Sequence, residues 1–215
     1  MKKAIRLLTC VAVFVCVLSK GKAQTYGGAR LEYHKRLDNP TLTFVDLQAG
    51  TQNVGVFKQE KMNAGVYEYS TTRLKKNFTF SQEIGFGVHI SNFNFENGDK
   101  RSFNQRLLDF KFTLGKITNR NIFGVHAGPI MTILIHGSVG GYDEAKSTKT
   151  FWFGYTAGAQ LRINKAILTS RYNYYFTKAD TRYVKGGYNS YYELINRRSY
   201  LSLGMAIVLS GEGYN

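Results

Sequence analysis

Cysteine is nearly missing from this chain of 215 residues: Cys10 and Cys16 are the two present, and both lie close to the N-terminus. Proline is as scarce, at Pro40 and Pro129, and acidic residues number 14 against 29 Lys and Arg. Long apolar runs are missing too. The longest, Leu7 to Leu18, falls short of the roughly 20 residues that an α-helix needs to cross a bilayer. A polytopic helical membrane protein is therefore excluded, in keeping with a mean hydropathy of −0.27. What the chain does have is 15 Phe, 15 Tyr, 1 Trp and 22 Gly. That much aromatic surface excludes intrinsic disorder. A single domain, either a β-rich globule or a β-barrel, is what this length and composition leave.

Residues 1–23 read as an address rather than as part of the fold. Lys2, Lys3 and Arg6 form a basic start, Leu7 to Leu18 an apolar stretch, and Gly21-Lys22-Ala23 a small-x-small site before Gln24. This is the form of a secretory signal cleaved after Ala23; an uncleaved anchor would need a longer run. Residues 24–215 are then the domain. Cleavage removes five basic residues and no acid, which leaves a net charge of +10 (24 basic against 14 acidic). It also removes both cysteines, so an exported domain must hold together without the disulfides common in small secreted folds.

The rest alternates with a period of two. Phe78, Phe80, Ile84, Phe86, Val88 and Ile90 face away from Thr79, Ser81, Glu83, Gly85, Gly87 and His89. Leu108, Phe110, Phe112 and Leu114 oppose Asp109, Lys111 and Thr113. The same pattern recurs over Phe123–Ile135, Phe151–Leu161, Ala166–Phe176 and Leu201–Leu209, giving six strong strands. Thr41–Phe57, which loses phase at Val54, and Met62–Thr72 supply two weaker ones. Gly28 to Leu37 reads either as a further strand or as an N-terminal arm, so ten strands is the alternative count. Pro129 sits badly in the middle of its strand, and a bulge or a break is expected there.

Connections alternate in length. Arg73–Asn77, Lys116–Asn121 and Arg162–Lys165 are short; Glu96–Asn104, Ser138–Lys149 and Lys178–Arg198 are long. One strand face is a nearly unbroken apolar band, and the other holds Glu, Asp, Lys, Arg and His. Together these features predict an all-β fold: an eight-stranded antiparallel transmembrane β-barrel with lipid outside and polar packing inside. The aromatics agree, with Phe151, Phe153, Tyr155, Tyr172, Tyr174 and Phe176 at one rim and Phe78 and Phe80 at the other.

Near the C-terminus Ser202-Leu203-Gly204-Met205-Ala206-Ile207-Val208-Leu209 looks like the β-signal read by the barrel-assembly machinery, carried by Ser202, Gly204, Ile207 and Leu209; Ser210 to Asn215 follow it and no terminal Phe closes the chain. On this motif and the strand pattern the chain resembles the small outer-membrane β-barrel proteins of Gram-negative bacteria, the OmpX/OmpA-like and PorT-like group. The resemblance implies the cell outer membrane as location, with its lipid and lipopolysaccharide as surroundings and the assembly machinery as partner. It also implies a structural or interaction role in an envelope or secretion assembly, with a protein partner there or loops presented outside. A lipid-modifying enzyme and a narrow channel are the other readings.

No metal-ligand spacing links His34, His89, His126 and His136, no phosphate-binding glycine loop occurs, and no cofactor or catalytic set is expected. His89, His126 and His136 are expected on the interior face. Glu83, Asp109, Lys111, His126 and Arg171 are the expected interior polar network. The short turns carry basic residues and no acid, which suits anionic headgroups better than nucleic acid for an exported chain. Arg182, Tyr183, Lys185, Tyr188, Arg197 and Arg198, in the last long connection, are candidates for contact with lipopolysaccharide phosphates or a protein.

Overall fold

The computed structural model describes residues 25–118, 120–139, 144–147, 151–177, 179–184, 190–196 and 198–211. Residues 1–23, which read as a signal in the sequence, lie outside them. In chain order the strands are β1 (Thr25–Arg36), β2 (Thr41–Asp46), β3 (Thr51–Arg73), β4 (Phe78–Phe95), β5 (Lys100–Ile117), β6 (Phe123–Val139), β7 (Glu144–Ser147), β8 (Phe151–Ile163), β9 (Ala166–Tyr175), β10 (Ala179–Val184), β11 (Ser190–Asn196) and β12 (Ser199–Gly211). Eight of them close into an antiparallel ring in the order β1-β12-β9-β8-β6-β5-β4-β3, with β1 pairing back onto β3 from Thr25↔Thr72 to Tyr33↔Ala64. Closure leaves the ring no unpaired edge.

One end of the ring carries the start of β1, the end of β12 and three tight turns. Each turn places an asparagine in the left-handed region: Asn77 at φ 62°, Asn121 at φ 56° and Asn164 at φ 54°. Asparagine tolerates that region better than other residues with a Cβ, because its short side chain bonds locally. At the other end the sheet continues past the ring. β2 pairs with the first residues of β3, β11 with β2, β10 with β11, and β7 with β10.

The eight-strand count holds, with one member exchanged. Thr41–Phe57 is not a single ring strand: it folds back between Asp46 and Thr51, where Asp46 Oδ1 accepts hydrogen bonds from the Gln48 and Ala49 amides and Gly50 turns the chain at φ 63°. The segment that alternated as strand or arm, β1, takes the vacant place. Met62–Thr72 belongs to the long β3, which shifts register against β4 between Phe57 and Gln59 and between Glu60 and Met62. Glu96–Asn104 is not a long connection, since β4 and β5 meet in a hairpin over residues 96–99 with Gly98 at φ 85°.

Pro129 needs neither bulge nor break. β6 runs straight through it, and the β5 ladder skips from Lys111↔Ile130 to Leu114↔Ala127 in unchanged register. Next to the gap the two backbones come so close that a Cβ on Gly128 would overlap the Phe112 carbonyl oxygen. The bulge lies higher instead, between the pairs Arg106↔His136 and Leu107↔Leu134. It turns His136 outward and half exposes it, so His136 is not on the interior face.

Every ring strand turns apolar side chains outward. Leu31, Val66, Phe86, Leu114, Val125, Phe153, Leu168 and Leu203, one from each, are 43–65% exposed. On β5 the outward Arg106 and Lys116 bracket Leu108 to Leu114. At about 3.3 Å per residue and a tilt of about 40°, the rise from Arg106 to Lys116 is about 25 Å, the height of the apolar band on barrels that span a membrane.

Candidate functional site

The residues gathered in the lumen are there because of the strand period. Alternate residues of a strand share a face, so β1 sends Arg30, Glu32, His34 and Arg36 inward while Leu31 and Tyr33 point out. β5 does the same with Asp109 and Lys111, and β4, β6 and β9 add Glu83, His126 and Arg171. All of these inward groups are buried.

Arg171 is at the centre. Its Nη1 donates to Glu32 at 3.0 Å and to Glu83 at 2.7 Å, its Nη2 to Glu83 at 2.5 Å, and its Nε to His126 Nε2 at 2.9 Å. Accepting that bond requires a lone pair on Nε2, so the His126 proton sits on Nδ1. Arg30 also bonds Glu83. Lys111 Nζ donates to Glu32 at 2.6 Å and lies 3.8 Å from the Tyr67 ring centre. Asp109 accepts from the Tyr67 hydroxyl at 2.8 Å and from Thr132 at 2.5 Å. Three cations thus pair with Glu32 and Glu83, while the Tyr67 and Thr132 hydroxyls hold Asp109. Buried charge is tolerable only when paired and hydrogen-bonded in this way.

Glycines make the room. A Cβ on Gly85 would come within 2.3 Å of the Tyr67 ring, one on Gly158 within 2.8 Å of Arg171 Cγ, and one on Gly204 within 2.9 Å of Glu32 Cγ. Gly85 clears the space for Tyr67, whose hydroxyl reaches Asp109.

Towards the end that carries the extra strands, the network passes into mostly uncharged hydrogen bonds. His34 pairs with Ser202 at 2.7 Å and with the Tyr67 hydroxyl at 3.3 Å, while Asn173 donates to Ser202 at 2.6 Å. His34 and His89 rings lie 5.7 Å apart, and His89 reaches the Tyr200 hydroxyl at 3.2 Å. Arg36 bonds Tyr200 and Glu60. Ser202 beside His34 has the makings of a nucleophile and its base, yet both are enclosed in the barrel wall's packing.

Apolar clusters lie above and below. Tyr26, Tyr69, Ile167, Ala206 and Val208 fill the lumen near the tight turns. Leu107, Ile130, Leu134, Trp152, Tyr175 and Tyr200 pack on the other side of the charges, and Leu42, Phe93, Phe95, Phe103, Val139, Tyr192 and Leu194 fill the extension beyond.

No family model and no curated protein matches the sequence. Among solved structures the chain is similar to the outer membrane protein OprG from Pseudomonas aeruginosa, at 11% identity and a TM-score of 0.48, over 87% of this chain and 95% of that one.

The five interior residues read from the sequence, Glu83, Asp109, Lys111, His126 and Arg171, stand in one connected network. Glu32 and Arg30 were missed, although the alternation of Arg30, Glu32 and His34 with Ala29, Leu31 and Tyr33 carries the signal. Of the terminal motif, Ser202 faces the lumen, whereas Ile207 and Leu209 face out and are exposed. Arg182 and Tyr183 lie on β10, opposite Glu193 and Tyr192 of β11. Lys185, Tyr188 and Arg197 fall outside the described residues. Arg198 is not a loop contact: it is buried in the lumen, its guanidinium 3.6 Å from the Trp152 ring centre and bonded to Gln105. The chain re-enters the barrel one residue earlier than the sequence suggested. Among the described residues no group of His, Cys, Asp or Glu is placed to hold a metal ion.

Proposed function

We propose that this protein is a small β-barrel of the Gram-negative outer membrane, exported on residues 1–23, with a structural or interaction role in an envelope or secretion assembly. The observation that carries the reading is the polarity of the ring. Large apolar side chains cover its outside, and two carboxylates, Glu32 and Glu83, pair with three cations within it. A soluble barrel has the opposite arrangement. In lipid, a closed ring satisfies every backbone group that an open sheet would strand at several kcal/mol each.

The filled lumen favours a structural role over a conduit, because an eight-stranded barrel is only wide enough for its own side chains. The extension of β2, β7, β10 and β11 is the part that would meet lipopolysaccharide or a protein partner outside. Three measurements test this reading together. The protein should sediment with outer membranes and migrate differently on a detergent gel before and after boiling. In planar bilayers it should give no discrete conductance steps. Recovery in the soluble periplasm with identical migration would overturn the membrane reading, and reproducible channel openings would overturn the structural one.

A further inference from the structure

The tight-turn end of the barrel is basic on every turn. Residues 73–77, 116–122 and 162–165 hold Arg73, Lys75, Lys76, Lys116, Arg120, Arg162 and Lys165 and no acid. These cations are not equivalent. Arg73 donates to Asn77 at 2.6 Å, and Arg162 bonds the Asn164 carbonyl and lies over the Tyr26 ring. Lys116 and Arg120 are instead exposed on the wall of a groove of about 770 Å³, whose other walls are Asn77, Ile122, Phe123 and Val125.

Strand register builds that groove. Phe78, Lys116 and Val125 sit side by side on β4, β5 and β6, with Lys116 Nζ 5.6 Å from the Phe78 ring centre. The turn below is pinned by Thr118, whose hydroxyl accepts from the Ile122 and Phe123 amides and whose carbonyl accepts from Asn121. On β6 the outward side chains of Phe123 and Val125 lead directly into Ala127, Pro129 and Met131 of the apolar band. The groove is therefore apolar where it joins the band and cationic where it leaves it.

We propose that this groove binds one anionic phospholipid of the bilayer leaflet at the tight-turn end, its phosphate between Lys116 and Arg120 and its first acyl carbons on Phe123 and Val125. The proposal rests on the membrane reading above and adds a defined lipid site to it. Charge complementarity selects the headgroup, and continuity with the band selects a lipid over a free anion. A cation held at an anionic lipid surface is worth about a fivefold change in binding, so losing both should weaken the site on the order of twentyfold.

The full domain, folded into vesicles of equal parts phosphatidylglycerol and phosphatidylcholine, would be released and its retained lipid counted by native mass spectrometry. The native chain should retain phosphatidylglycerol in preference. Lys116→Ala with Arg120→Ala should lose that preference, whereas Lys116→Arg with Arg120→Lys should keep it. Lys75→Ala with Lys165→Ala, which removes the same charge from exposed positions on the other two turns, should leave it intact. Excess glycerol 3-phosphate should not displace the lipid.

Equal losses in both alanine pairs would mean a diffuse basic rim and would overturn the site, as would no preference in the native chain. Displacement by glycerol 3-phosphate would make it a site for free anions. Insertion into pure phosphatidylcholine vesicles, read by the gel shift, separates the two claims. A chain that inserts without lipid preference refutes only the groove, and one that does not insert refutes the membrane reading with it.

Discussion

Glu32 holds two cations from two other strands, Lys111 of β5 at 2.6 Å and Arg171 of β9 at 3.0 Å, so the network ties β1 to the far wall of the barrel. The energetics of such a pair are asymmetric: the intact pair adds little, but removing one partner strands the other in low dielectric. Lys111→Ala should therefore destabilise the barrel by about 3–5 kcal/mol in urea unfolding from lipid vesicles. Lys35→Ala, on the outward face of β1, should change stability by less than about 1 kcal/mol. Equal, small effects would place Lys111 in water rather than in the lumen. Steric fit gives an independent check. Gly85→Val would drive a side chain into the Tyr67 ring and should cost about 1–3 kcal/mol in the same measurement, the usual penalty of overpacking. An unchanged unfolding midpoint would show that Tyr67 does not lie over that glycine.

β1 is the element on which closure depends, since it alone joins β12 to β3. Hydrogen exchange in lipid should find the amides of 25–36 as slow as those of β9; exchange as fast as in a free peptide would return the segment to an arm. Six ring strands were legible from alternation because one of their faces is uniformly apolar. β1 was less so, as Gly27 and Lys35 interrupt its apolar face. Thr41–Phe57 misled for a physical reason: β2 and the start of β3 form a hairpin in the extension, where residues on the inward face pack on an apolar cluster and the period alone cannot tell this from a lipid-facing wall. Of the network, carboxylates and cations on clean strands could be read in phase. What pairs with what could not, because partners such as Glu32 and Arg171 lie 139 residues apart and meet only through the register of the closed ring. His136 went astray because a one-residue bulge reverses every side chain beyond it.

At the scale of the whole molecule the layers follow one another along the axis: an apolar plug by the tight turns, a neutralised ionic layer, a hydrogen-bonded layer of histidine, serine and tyrosine, and an apolar core that continues into the extension. Among the described residues such an interior is filled by its own side chains, while the exterior of the ring is apolar. The single tryptophan allows the polarity to be tested directly, because Trp152 is fully buried in the lumen. Protein folded into vesicles of lipids brominated along their acyl chains would be compared with a Leu203→Trp variant in a Trp152→Phe background, since bromine quenches only an indole it can approach. The fluorescence of Trp152 should be nearly unaffected by brominated lipid and that of Leu203→Trp strongly quenched. Quenching of Trp152 together with an unquenched, water-exposed Leu203→Trp would contradict a barrel that carries its apolar face outward into the bilayer.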